Sequence, residues 1–516
     1  MSLVRDVVTV GGWTLVYRVS SFVRDIVQSC ILGAGMFADV ASLAFKFANS
    51  LRKLFAEGAF NASFLPIFSN VLKERGHEEA RKLAAQIFTW ITLSVSLLLI
   101  LLLIFFRKIM GGFAAGIDQS SEKFEHLIAI GKICSPYVAA SVLAALFGGI
   151  LNTLNRFAMP AAAQLILNIF VIISLYSGPL FFPSTAYTMA VAVFLSGVVQ
   201  VAVLWIDVKI NGFSIRFDFS KMKDEVKTFG RKLFSGVIGA GVLQLNILID
   251  FVVLSFLPTG AVSYFYYVDH VHQFPIGILG IAFSTALLPP ITSAINGRDF
   301  STAQVQMNVG LLYAVLLTLP ATIILMTLSE PVIGAIYGRG NFSPEHVEAA
   351  APALVAFSQG LPVYMVTKVF STVFFANKDT KTPLRGGILA IFVNLFFIGL
   401  LVPCLKHTGI ALATTLSSWC NGIYLAENLK EKCGIRVDSA TKRIFGKQLL
   451  ASLAMLLAIL VMNMYAAPCY SQGGITRQVA LISVVISGTI IYMAVGKITG
   501  ASSFLNGKRG MNGKNE

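Results

Sequence analysis

Between Arg18 and Glu57, eight ionisable side chains interrupt two segments that are otherwise apolar enough to sit in lipid. The first carries Arg18, Arg24 and Asp25; the second carries Asp39, Lys46, Arg52, Lys53 and Glu57. A charge at bilayer depth costs roughly 2.5–3.5 kcal/mol on insertion scales, so it is rarely kept without a use. Five cations against three anions leave the region net positive. The chemistry this suggests is recognition of an anionic cargo in a polar cavity inside a membrane protein. At 100° per residue, Thr14, Arg18, Ser21, Arg24, Asp25 and Gln28 share an arc of about 120° on one helix. Asp39, Ser42, Lys46, Asn49 and Lys53 share a face of the next, with Glu57 in line. The plainer alternative is a structural ion-pair set, Arg18 or Arg24 with Asp25 and Asp39; the surplus of cations argues for cargo. Further along stand Asp250, the run Asp269-His270-Val-His272-Gln273 and Lys368, all within apolar spans. Asp250 reads either as an ion ligand or as a structural partner.

The elements that must position these residues are transmembrane helices. Hydrophobic residues make up 56% of the chain and charged ones 13%, where a soluble chain carries about 25% charged. Phe88 to Phe106 is uncharged and long enough to cross about 30 Å of hydrocarbon. Arg18 and Arg24 break any signal-peptide core, so the first helix is expected to stay in the mature protein. The six cysteines show no C-x-x-C spacing, and no H-E-x-x-H or phosphate-binding loop is present. A metalloenzyme or an ATP motor is therefore not expected, and neither is bond chemistry of any kind.

Apolar windows give about 14 spans: 11–34, 36–70, 83–106, 127–153, 158–177, 185–207, 230–256, 262–293, 304–329, 347–376, 384–403, 408–427, 447–467 and 476–496. With the N-terminus cytoplasmic, 27 of the 40 Lys and Arg fall on the cytoplasmic side and 6 on the other. That satisfies the positive-inside rule with both termini cytoplasmic, and it explains most of the net charge of +15 without nucleic acid. The chain also repeats. Phe60 to Ser69 aligns with Phe283 to Thr292, and Pro160 with Pro383, both at an offset of 223. Six helices per repeat put both copies in the same orientation, as in transporters that alternate access around a site between repeats. The expected fold is an all-α polytopic membrane protein of two parallel six-helix lobes, 1–210 and 211–430, plus two extra helices in 431–500 and a cytoplasmic tail, 501–516.

The motifs resemble the MurJ (MviN) family of lipid II flippases, within the multidrug/oligosaccharidyl-lipid/polysaccharide exporter superfamily. They are Arg18 with Arg24-Asp25, Gly33-x-Gly35-x-x-Ala38-Asp39, Asn49-x-x-Arg52-x-x-Phe55-Ala56-Glu57-Gly58-Ala59-Phe60, Phe64-x-Pro66, Pro275-x-Gly277 to Leu288-Pro289, Tyr337 to Phe342 and Asn377-x-Asp379-Thr-Lys-Thr-Pro383. The resemblance covers nearly the whole chain, to about residue 496. It implies that Arg18, Arg24 and Arg52 bind a substrate pyrophosphate in a cationic cavity, with Asp25, Asp39, Asn49 and Glu57 shaping the cavity and its gate. Arginine suits the task because its planar fork pairs bidentately with phosphate and stays charged. Lys46, Lys53, His270 and Lys368 are further candidates for contact with the substrate, and the two extra helices imply a groove for its lipid tail. Where the family usually has an arginine in the eighth span this chain has His270. A sodium site is implied for some members at positions matching Asp250, Asn394, Ile410 and Thr414, with a further Asp where this chain has Ile398, which argues against sodium as cofactor.

The reading is a flippase of the bacterial inner membrane, not an enzyme, moving undecaprenyl-pyrophosphate-linked peptidoglycan precursor outward. A monomer among membrane lipids is expected, with no nucleic-acid partner. The alternatives are a related exporter of another lipid-linked oligosaccharide or of drugs, and a non-transporting membrane scaffold. The cation surplus counts against cationic drugs; a scaffold leaves the polar stripe without a purpose.

Overall fold

A computed structural model describes residues 2–182, 184–471 and 474–506, and every regular element among them is helical. In chain order they are α1 (Ser2–Leu32), α2 (Met36–Arg52), a π-helical turn (Lys53–Gly58), α3 (Ala59–Ile104), α4 (Phe106–Phe113), α5 (Glu122–Cys134), α6 (Pro136–Thr153), α7 (Ala158–Phe181) and α8 (Thr185–Ile210). There follow α9 (Asp224–Leu254), α10 (Ala261–Asn296), α11 (Phe300–Thr327), α12 (Ser329–Ile336), α13 (Pro344–Ser358), α14 (Leu361–Ala376), α15 (Lys381–Cys433), α16 (Ser439–Ser471) and α17 (Gly474–Thr499). Local chemistry sets many ends. Ser121 caps α5 by accepting from Phe124 N, Ser343 and His346 form a reciprocal capping box on α13, and Gly434 ends α15 in the left-handed conformation.

By length and apolarity, nine described stretches can cross a membrane, or ten if the bent pair Asp224–Gly239 and Gln244–Leu254 is one span. α1, which holds Arg18, Arg24 and Asp25, is not among them. Two of the nine contain a break. Gly76 (φ 80°) interrupts α3, and Lys406 (φ 50°) interrupts α15, each at the gap between two of the windows drawn from hydropathy.

The chain forms two compact units: Met1–Ser263 with Gly340–Phe342, and Tyr264–Arg339 with Ser343–Glu516. In the first, α1 packs on α7, α7 on α8, α8 on α6, and α3 on both α6 and α9. α9, which the lobe limits drawn from sequence place after residue 210, thus packs inside this unit. Phe229 meets Phe60 edge-on at 5.5 Å, and Arg75 pairs with Glu225 at 2.7 Å. In the second unit α11, α14 and α15 pack together, with α16 laid on α11 and α17 on α16.

The duplication reaches the helix limits. The eight-residue helix Phe106–Phe113 recurs 223 residues on as Ser329–Ile336, and the segment from the start of α7 at Ala158 to the end of α8 at Ile210 recurs as Lys381–Cys433. The cores repeat too. Phe60, Phe68, Leu146 and Phe147 of the first unit occupy the places of Phe283, Ile291, Val369 and Phe370 in the second. α16 and α17 lie outside the repeat. They press together through Ile459 and Gly488 while Leu457, Met464, Ile482 and Ile490 stay exposed, as lipid-facing side chains do.

Candidate functional site

Of the polar stripes on α1 and α2, Arg24, Asp25, Gln28, Asp39, Ser42 and Lys46 are buried, while Thr14, Arg18, Ser21, Asn49 and Lys53 are half-buried. Arg24 is 2% exposed and Asp25 1%. Arg24 donates through Nε and Nη2 to Asp25 Oδ1 at 3.1 and 2.7 Å, and through Nη1 to Asn168 Oδ1 on α7 at 3.0 Å. Its guanidinium carbon also lies 5.1 Å from the Phe45 ring centroid. Asn168 in turn donates to Ser20 Oγ at 2.8 Å, so α1 and α7 are joined by one hydrogen-bonded chain. Arg18, nearly two turns away, is half-buried, and its Nε has no hydrogen-bond partner among the described residues.

Asp39 has a different set of partners from the one expected. Its carboxylate is fully buried and accepts from Lys123 Nζ (2.8 Å), Gly260 N (2.9 Å), Ser263 N (3.0 Å) and Ser263 Oγ (2.6 Å). An ion pair of Asp39 with Arg18 or Arg24 is therefore corrected: Lys123 supplies the charge, and the first turn of the helix that begins at Ala261 supplies donors that nothing else would satisfy. Lys46 is also buried, with its ammonium 5.0 Å from the Phe251 ring centroid.

The straight-helix alignment of Glu57 with Asp39 and Lys46 needs a second correction, whereas Lys53 keeps helical angles and its N–H bonds Asn49 O. Lys53 to Gly58 is a π-turn, which holds more residues per turn and rotates everything after it relative to α2. Arg52 ends α2, donates from Nε to Asn49 Oδ1 at 3.0 Å, and lines a cavity of about 150 Å³ inside the unit. The side chain of Glu57 lies outside the described residues.

In the second unit the His270 ring lies 4.4 Å from that of Tyr266. Its neighbour Asp269 accepts from Gln273 Nε2 at 2.6 Å and stands 3.9 Å from His272 Nδ1. Lys368 lies in mid-α14 with its ammonium directly against Gly280, where any larger side chain would collide with it. Of the sodium set, Asp250 belongs to the first unit and is 4% exposed, while Asn394 and Thr414 belong to the second. Ile398 and Ile410 are buried hydrocarbon. Ile398 thus supplies no oxygen at the position where a further carboxylate is implied for sodium. Among the described residues no group of three or more His, Cys, Asp or Glu could hold a metal.

Three partners were not singled out from sequence: Asn168, Lys123 and Ser263. Asn168 carried a signal, as one of two amides, with Gln164, within the apolar span 158–177. Lys123 and Ser263 carried none, because each acts through a residue far away in the chain.

The chain matches the family described as lipid II flippase MurJ over residues 28–484. It is 32% identical to a probable lipid II flippase MurJ of Rhizobium meliloti (strain 1021), covering 98% of this chain and 95% of that one. It is also 32% identical to the counterpart from Rickettsia prowazekii (strain Madrid E), over 95% and 97%. Among solved structures it is similar to a lipid II flippase MurJ in an inward closed conformation, with a TM-score of 0.78, 24% identity, and coverage of 95% of this chain and 98% of that one. A multidrug-resistance MATE transporter facing inward shares the fold at a TM-score of 0.67, with 14% identity over 82% and 99%.

Proposed function

This chain belongs to the lipid II flippase MurJ family, and we propose that it carries undecaprenyl-pyrophosphate-linked peptidoglycan precursor from the inner to the outer leaflet of the bacterial inner membrane by alternating access. It is a multi-span membrane transporter rather than a catalyst. In this reading it is a monomer with both termini in the cytoplasm and about 14 spans, of which 1–210 and 211–430 form lobes and 431–500 a groove for the lipid tail.

The observation that carries the reading is a buried, cation-rich pair of helices in a chain of this family. Arg18, Arg24 and Arg52 serve the pyrophosphate, and Lys46, Lys53, His270 and Lys368 add positive or titratable groups around it. Arg24 already uses both edges of its guanidinium, on Asp25 and Asn168. Phosphate therefore meets an arginine already held in place, and Asp25 balances the guanidinium charge until the cargo arrives. Sodium enters no step, because its donor set is short of charge.

The test is replacement of a conditional flippase-null strain's gene with this one, followed by measurement of lipid II exposed on the outer leaflet. Growth with exposed lipid II is the expected result; absence of both would overturn the assignment. Cationic drugs are the weaker cargo, since the charge on α1 and α2 has the wrong sign for them.

A further inference from the structure

The cavity beside Arg52 lies wholly within the first unit and is walled by four side-chain amides, Asn61, Asn152, Gln164 and Gln200. Its volume of about 150 Å³ is far more than the ~10–15 Å³ that one water needs. Tyr17, Tyr137 and Ser141 add hydroxyls, and Arg52 carries the one full charge among the described lining residues. The space exists because α6 presents Ala144, Ala145, Gly148 and Gly149 to it. Gln200 is 6% exposed, and its amide nitrogen has no hydrogen-bond partner among the described residues. A buried donor on the wall of such a cavity needs an acceptor there, which water or a bound group supplies.

The duplication supplies an internal control. At the offset of 223, Gln200 corresponds to Ile423, Asn152 to Phe375 and Gln164 to Gly387. The same helices in the second unit thus have no need of amides at these places. The polar lining is a property of this cavity, not of the fold.

We propose that the cavity is a subsite for an uncharged, hydrogen-bonding part of the cargo, an N-acetylated amino sugar, with Arg52 at its edge taking the phosphate to which that sugar is joined. Carboxamides and hydroxyls donate and accept, which matches acetamido and hydroxyl groups; a free anion would call for more than one cation. Asn152 lies near the end of α6 and Gln164 within two turns of the start of α7, on either side of the connection that holds Arg156. The positive-inside count turns those helix ends to the cytoplasm, where the headgroup of an inner-leaflet lipid would enter. The inference rests on the flippase reading, but its test does not depend on transport.

The test compares the binding of two water-soluble probes, N-acetylglucosamine 1-diphosphate and inorganic pyrophosphate, to purified full-length protein. Wild type is expected to bind the sugar diphosphate at least about five-fold more tightly, the worth of about one hydrogen bond. Gln200→Leu should remove that difference, leave pyrophosphate affinity unchanged, and keep or raise the thermal midpoint because it deletes an unpaired donor. Ala145→Leu, which fills the cavity from the α6 side, should act likewise and stands in if Gln200→Leu fails to fold. Equal affinity of wild type for the two probes, as for a cavity that holds only water, would overturn the proposal. So would a sugar preference that survives both substitutions. Failure of lipid II exposure in cells with the sugar preference intact would instead count against the flippase reading alone.

Discussion

At the scale of single residues, the arginine of greatest interest is also a structural one. Arg24 and Asp25 neutralise each other at 2.7 Å with almost no exposure. Removing one member leaves an uncompensated buried charge, worth about 3–5 kcal/mol. Arg24→Ala and Asp25→Ala are each expected to lower the thermal midpoint strongly. The double replacement should recover much of the stability and none of the flipping, measured as lipid II on the outer leaflet. Full flipping by the double variant would remove Arg24 from the cargo site. Arg24→Lys should fold yet flip poorly, since a point charge cannot serve Asn168 and phosphate as a fork does. Asp39 presents a parallel case, with four donor groups on its carboxylate. Asp39→Ala should cost about as much as breaking any buried charge pair, and Lys123→Met in the same chain should restore part of it. Unfolding curves in detergent decide both.

At the scale of elements, two features of the connections carry consequences. Gly33 (φ 62°) and Gly340 (φ 59°) are placed so that a Cβ on either would strike the other strand of chain, at the Asn341 carbonyl and the Cys30 carbonyl respectively. That approach lets Asn341 close the end of α1, with its N–H donating to Cys30 O at 2.8 Å and its amide to Ile31 O at 2.7 Å. Gly340→Ala should therefore be worse than its left-handed φ alone predicts, about 1 kcal/mol, and should free the end of α1 to fast amide exchange. On the connections between spans, Glu79 is held down to about 2, chiefly by Lys223 and then Lys82. Asp299 is held down to about 2 by the Thr302 backbone N–H and then the Ser301 hydroxyl. Both pKa values are depressed, so their stabilisation is complete above the unfolded values near 4 and is lost as pH falls through about 2. The thermal midpoint should be flat from about pH 7 to 5 with respect to these groups and drop below about 4, and Glu79→Gln with Asp299→Asn should shrink that drop.

At the scale of the whole molecule, the driving force follows from the ion inventory. Of the positions implied for sodium, Asp250 is the one carboxylate, and buried Ile398 adds none. Flipping in vesicles is expected to be insensitive to replacing sodium with potassium. It should respond to membrane potential, since each charge moved across 100 mV is worth about 2.3 kcal/mol. Saturable sodium binding that disappears in Asp250→Ala would refute this.

The sequence alone determined the all-helical membrane class and the offset of 223 between repeats, because hydropathy and proline placement act locally along the chain. It also placed Arg24, Asp25 and Gln28 on one buried face of α1, since helical periodicity fixes neighbours three and four residues apart, whereas α2 is buried all round from Ala38 to Ala48. Periodicity failed where the backbone left the α-helix, at the π-turn from Lys53 to Gly58, whose widening no residue type there signals. Only the tertiary structure decided who pairs with whom. Asp39 found Lys123 and Ser263, and Arg24 found Asn168, across chain separations that local rules cannot see. Buried charges accept whichever donor the packing brings within about 3 Å, and that is settled by how whole helices fit, not by the order of residues within one.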